Sequence, residues 1–186
     1  MGALRQPAPV NLFCALLYAP DFPLAECERI LQQHFGTIIL RSEPFPFTQT
    51  TYYNREMGEG LQRLYVAFAP LMVMAELAAV KHLTNHLEVQ WATASGQRRV
   101  NLDPGYLDLA KVVLASTKDH AHRLYIGGGI YAEVTLRYGR KQFQPWEWTY
   151  PDYRLPSTQT FFEQLRRHYQ AQLRRSTSPC QQATSL

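Results

Sequence analysis

Three patterns predict an α+β fold. Two segments of helical periodicity alternate with apolar extended runs, a Gly127-Gly128-Gly129 loop joins two alternating segments, and a long helical pattern follows Ser157. The chain has 186 residues, 46% of them hydrophobic and 18% charged, an ordinary globular composition. A chain of that length buries roughly 70% of its unfolded surface on folding. One domain over residues 9–175 is expected, with a disordered polar tail over 176–186.

Val10 to Tyr18 is apolar at both alternating positions and bounded by prolines, which reads as a central strand buried on two faces. Asp21 is placed to cap a helix in which Leu24, Cys27, Ile30, Leu31 and Phe35 recur at helical spacing until Gly36. Thr37 to Leu40 is β-branched and apolar, and Pro44 and Pro46 confine any continuation to an edge or loop. A polar, aromatic stretch from Thr50 to Gly58 precedes a strand pattern over 61–69. Between Met72 and Trp91, Leu77, Val80, Leu87 and Trp91 mark one face of a second helix. An extended run then meets Asp103-Pro104-Gly105, which reads as a turn, before a strand from Lys111 to Thr117.

The glycine loop predicts a hairpin of 122–126 with 130–136. In that register Tyr125 faces Tyr131 and Arg123 faces Glu133, while Leu124, Ile126, Ile130, Ala132, Val134 and Leu136 share the apolar face. An aromatic loop with Trp146, Trp148, Tyr150 and Tyr153 follows, and Ser157 is placed to cap the last helix. The first hundred residues thus run strand, helix, strand, strand, helix, strand. That order is the ferredoxin-like split βαβ motif, here followed by an antiparallel extension and a C-terminal helix.

Fifteen Arg and four Lys against fifteen acids leave a formal charge of +4. The arginines are mostly scattered, unlike the concentrated face of a duplex-DNA binder. Cys14, Cys27 and Cys180 form neither a close pair nor a metal-ligand spacing, so no disulfide framework or zinc site is read. No signal peptide is read, and the longest apolar run, Leu12 to Ala19, is far shorter than the roughly 20 residues of a membrane span. A cytoplasmic protein without a membrane association is expected.

The ionisable residues gather near the hairpin: Lys118, His122, Arg123 and Glu133, with Asp103 as a neighbour. Cations can orient an anionic substrate while His122 or Glu133 moves a proton, so these two are the candidate catalytic residues. Asp103, Lys118 and Arg123 are the candidate ligand-binding residues, and a metal requirement is left open. The competing reading makes Arg123 and Glu133 a cross-strand ion pair on a solvated face. Lys81, Asn85 and Glu88, spaced i, i+4 and i+7, read as a solvated stripe of the second helix. His82-Leu-Thr84 matches one His-x-Thr element, but no second such element exists to face it. The glycine loop lacks the Gly-Lys-Ser/Thr ending of a phosphate loop.

A different class of reading is single-stranded RNA binding. Phe13, Tyr65 and Phe68 would stack on bases if exposed, and would otherwise be core rings. The aromatic loop is either a ligand or partner platform or a clasp over the core.

Several segments are distinctive: Tyr52-Tyr-x-x-Glu-Met-Gly58, Lys81 to Glu88, Asn101-Leu-Asp-Pro-Gly-Tyr106, and Val113 to Arg123 running on through Leu136 to Tyr153. In these the chain resembles, from about residue 9 to about 169, a family of uncharacterised bacterial proteins designated domain of unknown function 4416. The resemblance implies that the polar hairpin and the Asp-Pro-Gly segment belong to the family signature, and it carries no activity. The functional expectation therefore rests on the residues: an anionic small molecule, phosphorylated or nucleotide-like, bound in a polar pocket, with RNA or protein interaction as the alternative.

Overall fold

A computed structural model describes residues 2–177. Among these residues the chain is a mixed α+β structure with one large antiparallel sheet and four α-helices. Strand β1 (Val10–Tyr18) is central and wholly buried. Its alternate residues serve two cores. Leu12, Cys14 and Leu16 pack on helices α1 (Leu24–Phe35) and α3 (Leu77–Gln90), while Phe13 and Ala15 meet Phe161, Phe162 and Leu165 of α4 (Pro156–Thr177). Two covered faces explain why the strand has no polar alternation.

Around β1 lie β4 (Gln62–Met72), which it pairs along most of its length, and β2 (Ile38–Arg41) beyond β4. The two-residue β3 (Phe45–Pro46) and the one-turn helix α2 (Asn54–Met57) interrupt the segment that leads into β4. On the other side of β1 follow β5 (Val100–Leu107), β6 (Lys111–Ser116), β8 (Ile130–Gly139) and the edge strand β7 (Leu124–Gly127), with β9 (Gln142–Pro145) on β8.

Local signals yield to long-range pairing at several places. Asp103-Pro104-Gly105 is not a turn but the middle of β5, because β1 pairs it continuously from Asn101 to Leu107. The β5–β6 ladder begins only at Gly105–Leu114, so the missing N–H of Pro104 falls where β5 has no neighbour on that side. Gly105 is needed for close approach: a Cβ there would lie 2.6 Å from the Phe13 ring and collide with the Val113 carbonyl. β4 continues to Met72 because that residue pairs with Val10, so α3 begins at Leu77 after a 3-10 turn at Met74–Glu76.

Asp21 does not cap α1, which starts after Pro23 with no side-chain cap; it accepts a 2.9 Å bond from Arg99 instead. Gly36 ends α1 at φ +87°, and a Cβ there would sit 2.6 Å from Pro70. Ser157 lies inside the first turn of α4 rather than capping it. α4 itself runs through Thr177, and the expected tail lies, from 178 onward, outside the described residues.

The hairpin forms with Tyr125 opposite Tyr131, as its alternation predicts. Its apolar face is not continuous. A bulge around Thr135 shifts the register between Val113–Val134 and Val112–Leu136, which turns Leu136 into the α4 core while Ile130, Ala132 and Val134 stay with α3. At the sheet edge Leu124 is 77% exposed, and Ile126 is exposed as well.

Candidate functional site

β5 and β6 pair through only three residue couples. At Leu102, beyond the end of that ladder, side chains of α3 replace the missing strand: Glu88 Oε1 accepts the Leu102 N–H at 2.7 Å, and Lys81 Nζ donates to its carbonyl at 2.8 Å. The stripe expected to be solvated is therefore structural at both ends, with Lys81 and Glu88 only 4% and 5% exposed. A cavity of about 660 Å³ opens beside this gap. The segment 47–53 walls it with Phe47, Tyr52 and Tyr53, and the loop after β9 with Tyr150, Asp152 and Tyr153.

Four of the five predicted site residues, Asp103, Lys118, Arg123 and Glu133, line this cavity. His122 is outside its lining. It sits behind Glu133, with Nε2 at 3.1 Å from Oε2, and stacks on Trp148. Arg123 and Glu133 are buried rather than solvated, at 7% and 3% exposure. The Arg123 Nε donates to Glu133 Oε2 at 2.8 Å, and Glu133 Oε1 accepts from Thr135 at 3.2 Å. Arg123 Nη1 donates to Ser116 Oγ and the Lys118 carbonyl, and Nη2 to Tyr150 OH at 2.7 Å. Four of the five guanidinium N–H groups are thereby used within the protein. Burial acts to lower the Arg123 pKa, but Glu133 and Tyr150 together outweigh it and leave the group charged.

Lys118 stands at the rim. Its Nζ donates to Tyr52 OH at 2.9 Å and lies 4.4 Å from that ring's centroid, and no carboxylate pairs with it among the described residues. The bond to Lys118 holds the Tyr52 phenol below its usual pKa.

Deeper lie residues that local reading did not single out. Arg63, 4% exposed, has Nε 3.0 Å from Asp152 Oδ2 but without hydrogen-bond alignment, and its Nη1 is 4.0 Å from Asp103. Asp152 also accepts from Tyr65 OH at 3.0 Å. Neither Arg63 Nη1 nor the buried Tyr153 OH has a hydrogen-bond partner among the described residues. Asp103 accepts from Lys81 at 3.2 Å and from Asn101 at 2.5 Å. Burial pushes its pKa up, but Lys81 and Arg63 prevail, and the carboxyl lies below its usual range.

Glu88 goes the other way. Burial raises it against the pull of Lys81. Arg98 bridges the two regions, donating to Glu56 at 2.6 and 2.7 Å, to Asn101 at 2.9 Å and to Glu88 at 3.4 Å. Two signals could have found the deep end: a charged residue between Leu61 and Tyr65 in an apolar strand, and an acid flanked by Tyr150 and Tyr153.

The other sequence features resolve plainly. Phe13, Tyr65 and Phe68 are fully buried, so they offer no stacking surface to a base. The aromatic loop divides: Tyr153 packs in the core, whereas Trp148 and Tyr150 are exposed. His82 Nε2 lies 2.8 Å from the Gly128 carbonyl, outside the cavity lining. Burial raises the Cys14 thiol well above its ordinary pKa and the Cys27 thiol to about 12, which keeps both protonated. Among the described residues, no group of three or more His, Cys, Asp or Glu side chains is arranged to hold a metal ion, and no helix is long and apolar enough to cross a membrane.

No curated protein and no solved structure matches the chain. The family model described as Domain of unknown function (DUF4416) matches residues 8–169. With some nine-tenths of its described length inside that match, the chain belongs to this family.

Proposed function

We propose that the protein binds an anionic small molecule, phosphorylated or nucleotide-like, in this cavity. The observation that carries the reading is Lys118, a cation at the mouth of an aromatic-walled cavity with no carboxylate partner among the described residues. A phosphate there gains a charge-assisted contact without displacing an internal ion pair. Arg123 is a positioning residue that ties the 116–118 turn to Tyr150, and Glu133 with His122 behind it keeps Arg123 in place. Asp103, ionised and 27% open at its side chain, is the carboxylate best placed to meet the ligand. Phe47, Tyr52 and Tyr53 offer ring surface to a planar ligand group. We also read the β2–β4–β1–β5 half of the sheet, with α1 and α3 on one face, as a split βαβ unit.

The test is thermal unfolding of the full chain with nucleoside phosphates, sugar phosphates, divalent metals and short single-stranded RNA, with Lys118→Gln alongside. A ligand at about a hundred times its Kd adds about 2.7 kcal/mol of stability. A phosphorylated small molecule should stabilise the wild type and lose most of that effect in Lys118→Gln. No shift with any of them, or a shift with RNA alone, overturns the reading.

A further inference from the structure

The two ends of the cavity differ in charge balance. At the deep end Arg63 and Lys81 face Asp103 and Asp152, so the cations there are already matched by carboxylates. An anion pressed against Arg63 would also meet two negative groups within the same few ångströms. Yet this end holds three buried donors without hydrogen-bond acceptors among the described residues: Arg63 Nε, which faces Asp152 out of alignment, Arg63 Nη1 and Tyr153 OH. Each is costly to bury unpaired. The group that fits is neutral and polar: a carbonyl oxygen to accept from these donors. Beside them Asp103, held ionised, is an acceptor, with its Oδ2 at 4.0 Å from Arg63 Nη1. An N–H next to the carbonyl would satisfy it.

The aromatic wall beside this end suits a flat group. Phe47 lies under the Arg63 guanidinium at 4.9 Å, Tyr53 packs edge-on to Phe47 at 6.1 Å, and both line the cavity. Rings of this kind stack on a planar heterocycle.

We propose that the deep end reads the carbonyl and adjacent N–H of a planar heterocycle, such as the lactam edge of uracil or hypoxanthine, with Arg63 and Tyr153 donating and Asp103 accepting. This rests on the anionic-ligand reading, which places the phosphate of the same molecule at Lys118. A base carrying an amino group and a bare ring nitrogen instead would set a donor against Arg63 and an acceptor against Asp103. A site built to hydrogen-bond one edge rejects the other because its own buried groups are left unpaired.

Matched nucleotides isolate the edge. The monophosphates of uridine and cytidine, and of inosine and adenosine, are titrated by calorimetry into the full-length protein, with ribose 5-phosphate as the base-free control. At least one lactam nucleotide should bind more than about tenfold tighter than its amino partner. Tyr153→Phe, which removes only a hydroxyl, should cut that preference severalfold while leaving ribose 5-phosphate binding unchanged. Asp103→Asn, which can donate as well as accept, should narrow or invert it. Equal affinity within both pairs, or tighter binding of the amino nucleotides, overturns the lactam assignment and leaves the anion site standing. Binding of ribose 5-phosphate with no gain from any base overturns it in the same way. If no phosphate compound binds, both readings fall.

Discussion

Two buried arginines face the same cavity, and they are not equivalent. Arg123 spends four N–H groups on Glu133, Ser116, the Lys118 carbonyl and Tyr150. Arg63 is as deeply buried and has carboxylates at 3.0 Å (Asp152) and 4.0 Å (Asp103), but neither its Nε nor its Nη1 makes a hydrogen bond among the described residues. Burial and charge alone would rank them together. Counting donors separates a side chain that braces the protein from one left with capacity for something else.

Removing the brace is the most damaging change. Glu133→Ala leaves the Arg123 charge buried without its partner and should cost about 3–5 kcal/mol in urea unfolding. A loss below about 1 kcal/mol would mean the pair behaves as a surface contact and would erase the contrast. Arg63→Met combined with Asp152→Asn, which removes both charges of that pair together, should cost less, about 1–3 kcal/mol, because no buried charge is left without its partner and position 152 keeps an acceptor for Tyr65. An equal loss in the two variants breaks the comparison.

Tyr153→Phe sharpens it further. Deleting a buried hydroxyl without a partner should leave stability within about 1 kcal/mol of wild type or raise it. A large loss would reveal a bond essential to the fold. Lys118→Gln, at the exposed rim, should shift stability by no more than about 0.5 kcal/mol while removing most of the stabilisation by phosphorylated ligands.

The smallest effects appear against pH. The Asp103 pKa lies below its ordinary 3.8, so its contribution is present above that value and lost as pH falls through the lowered one. Glu88 lies above its ordinary 4.5, so its contribution is full below 4.5 and lost as pH rises through the raised value. Stability curves of Asp103→Asn should show a shallower acid limb, to which Glu56 also contributes, and those of Glu88→Gln a shallower decline above 4.5. An unchanged curve in either variant would remove that group from the balance of the deep end.

The residues that local reasoning brought together, Lys118, Arg123 and Glu133, lie within one hairpin and the turn before it, where alternation and a glycine loop determine who faces whom. The deep end was not legible in the same way. Arg63, Lys81, Asp103 and Asp152 come from four separate elements and meet only when β4, α3, β5 and the loop after β9 converge. Asp103 lines the cavity, but its segment is a strand rather than the turn its sequence suggests, since Asp-Pro-Gly carries a strong local preference that eight residues of β1 override. The α3 stripe failed for a related cause. Polar residues at helical spacing look solvated unless a gap in the sheet beneath them is known.

That gap makes the sheet a structure in two leaves. β1 pairs β4 and β5 through eight residue couples each, and β6 pairs β8 through six, but only three join β5 to β6. Lys81 and Glu88 work there as a pair of stitches thrown from a helix across a seam. The leaves share the cavity on that seam, so an occupant would also mend it. Amide hydrogens of Leu102 and its neighbours should exchange fastest within the interior of the sheet and slow most when the cavity is filled.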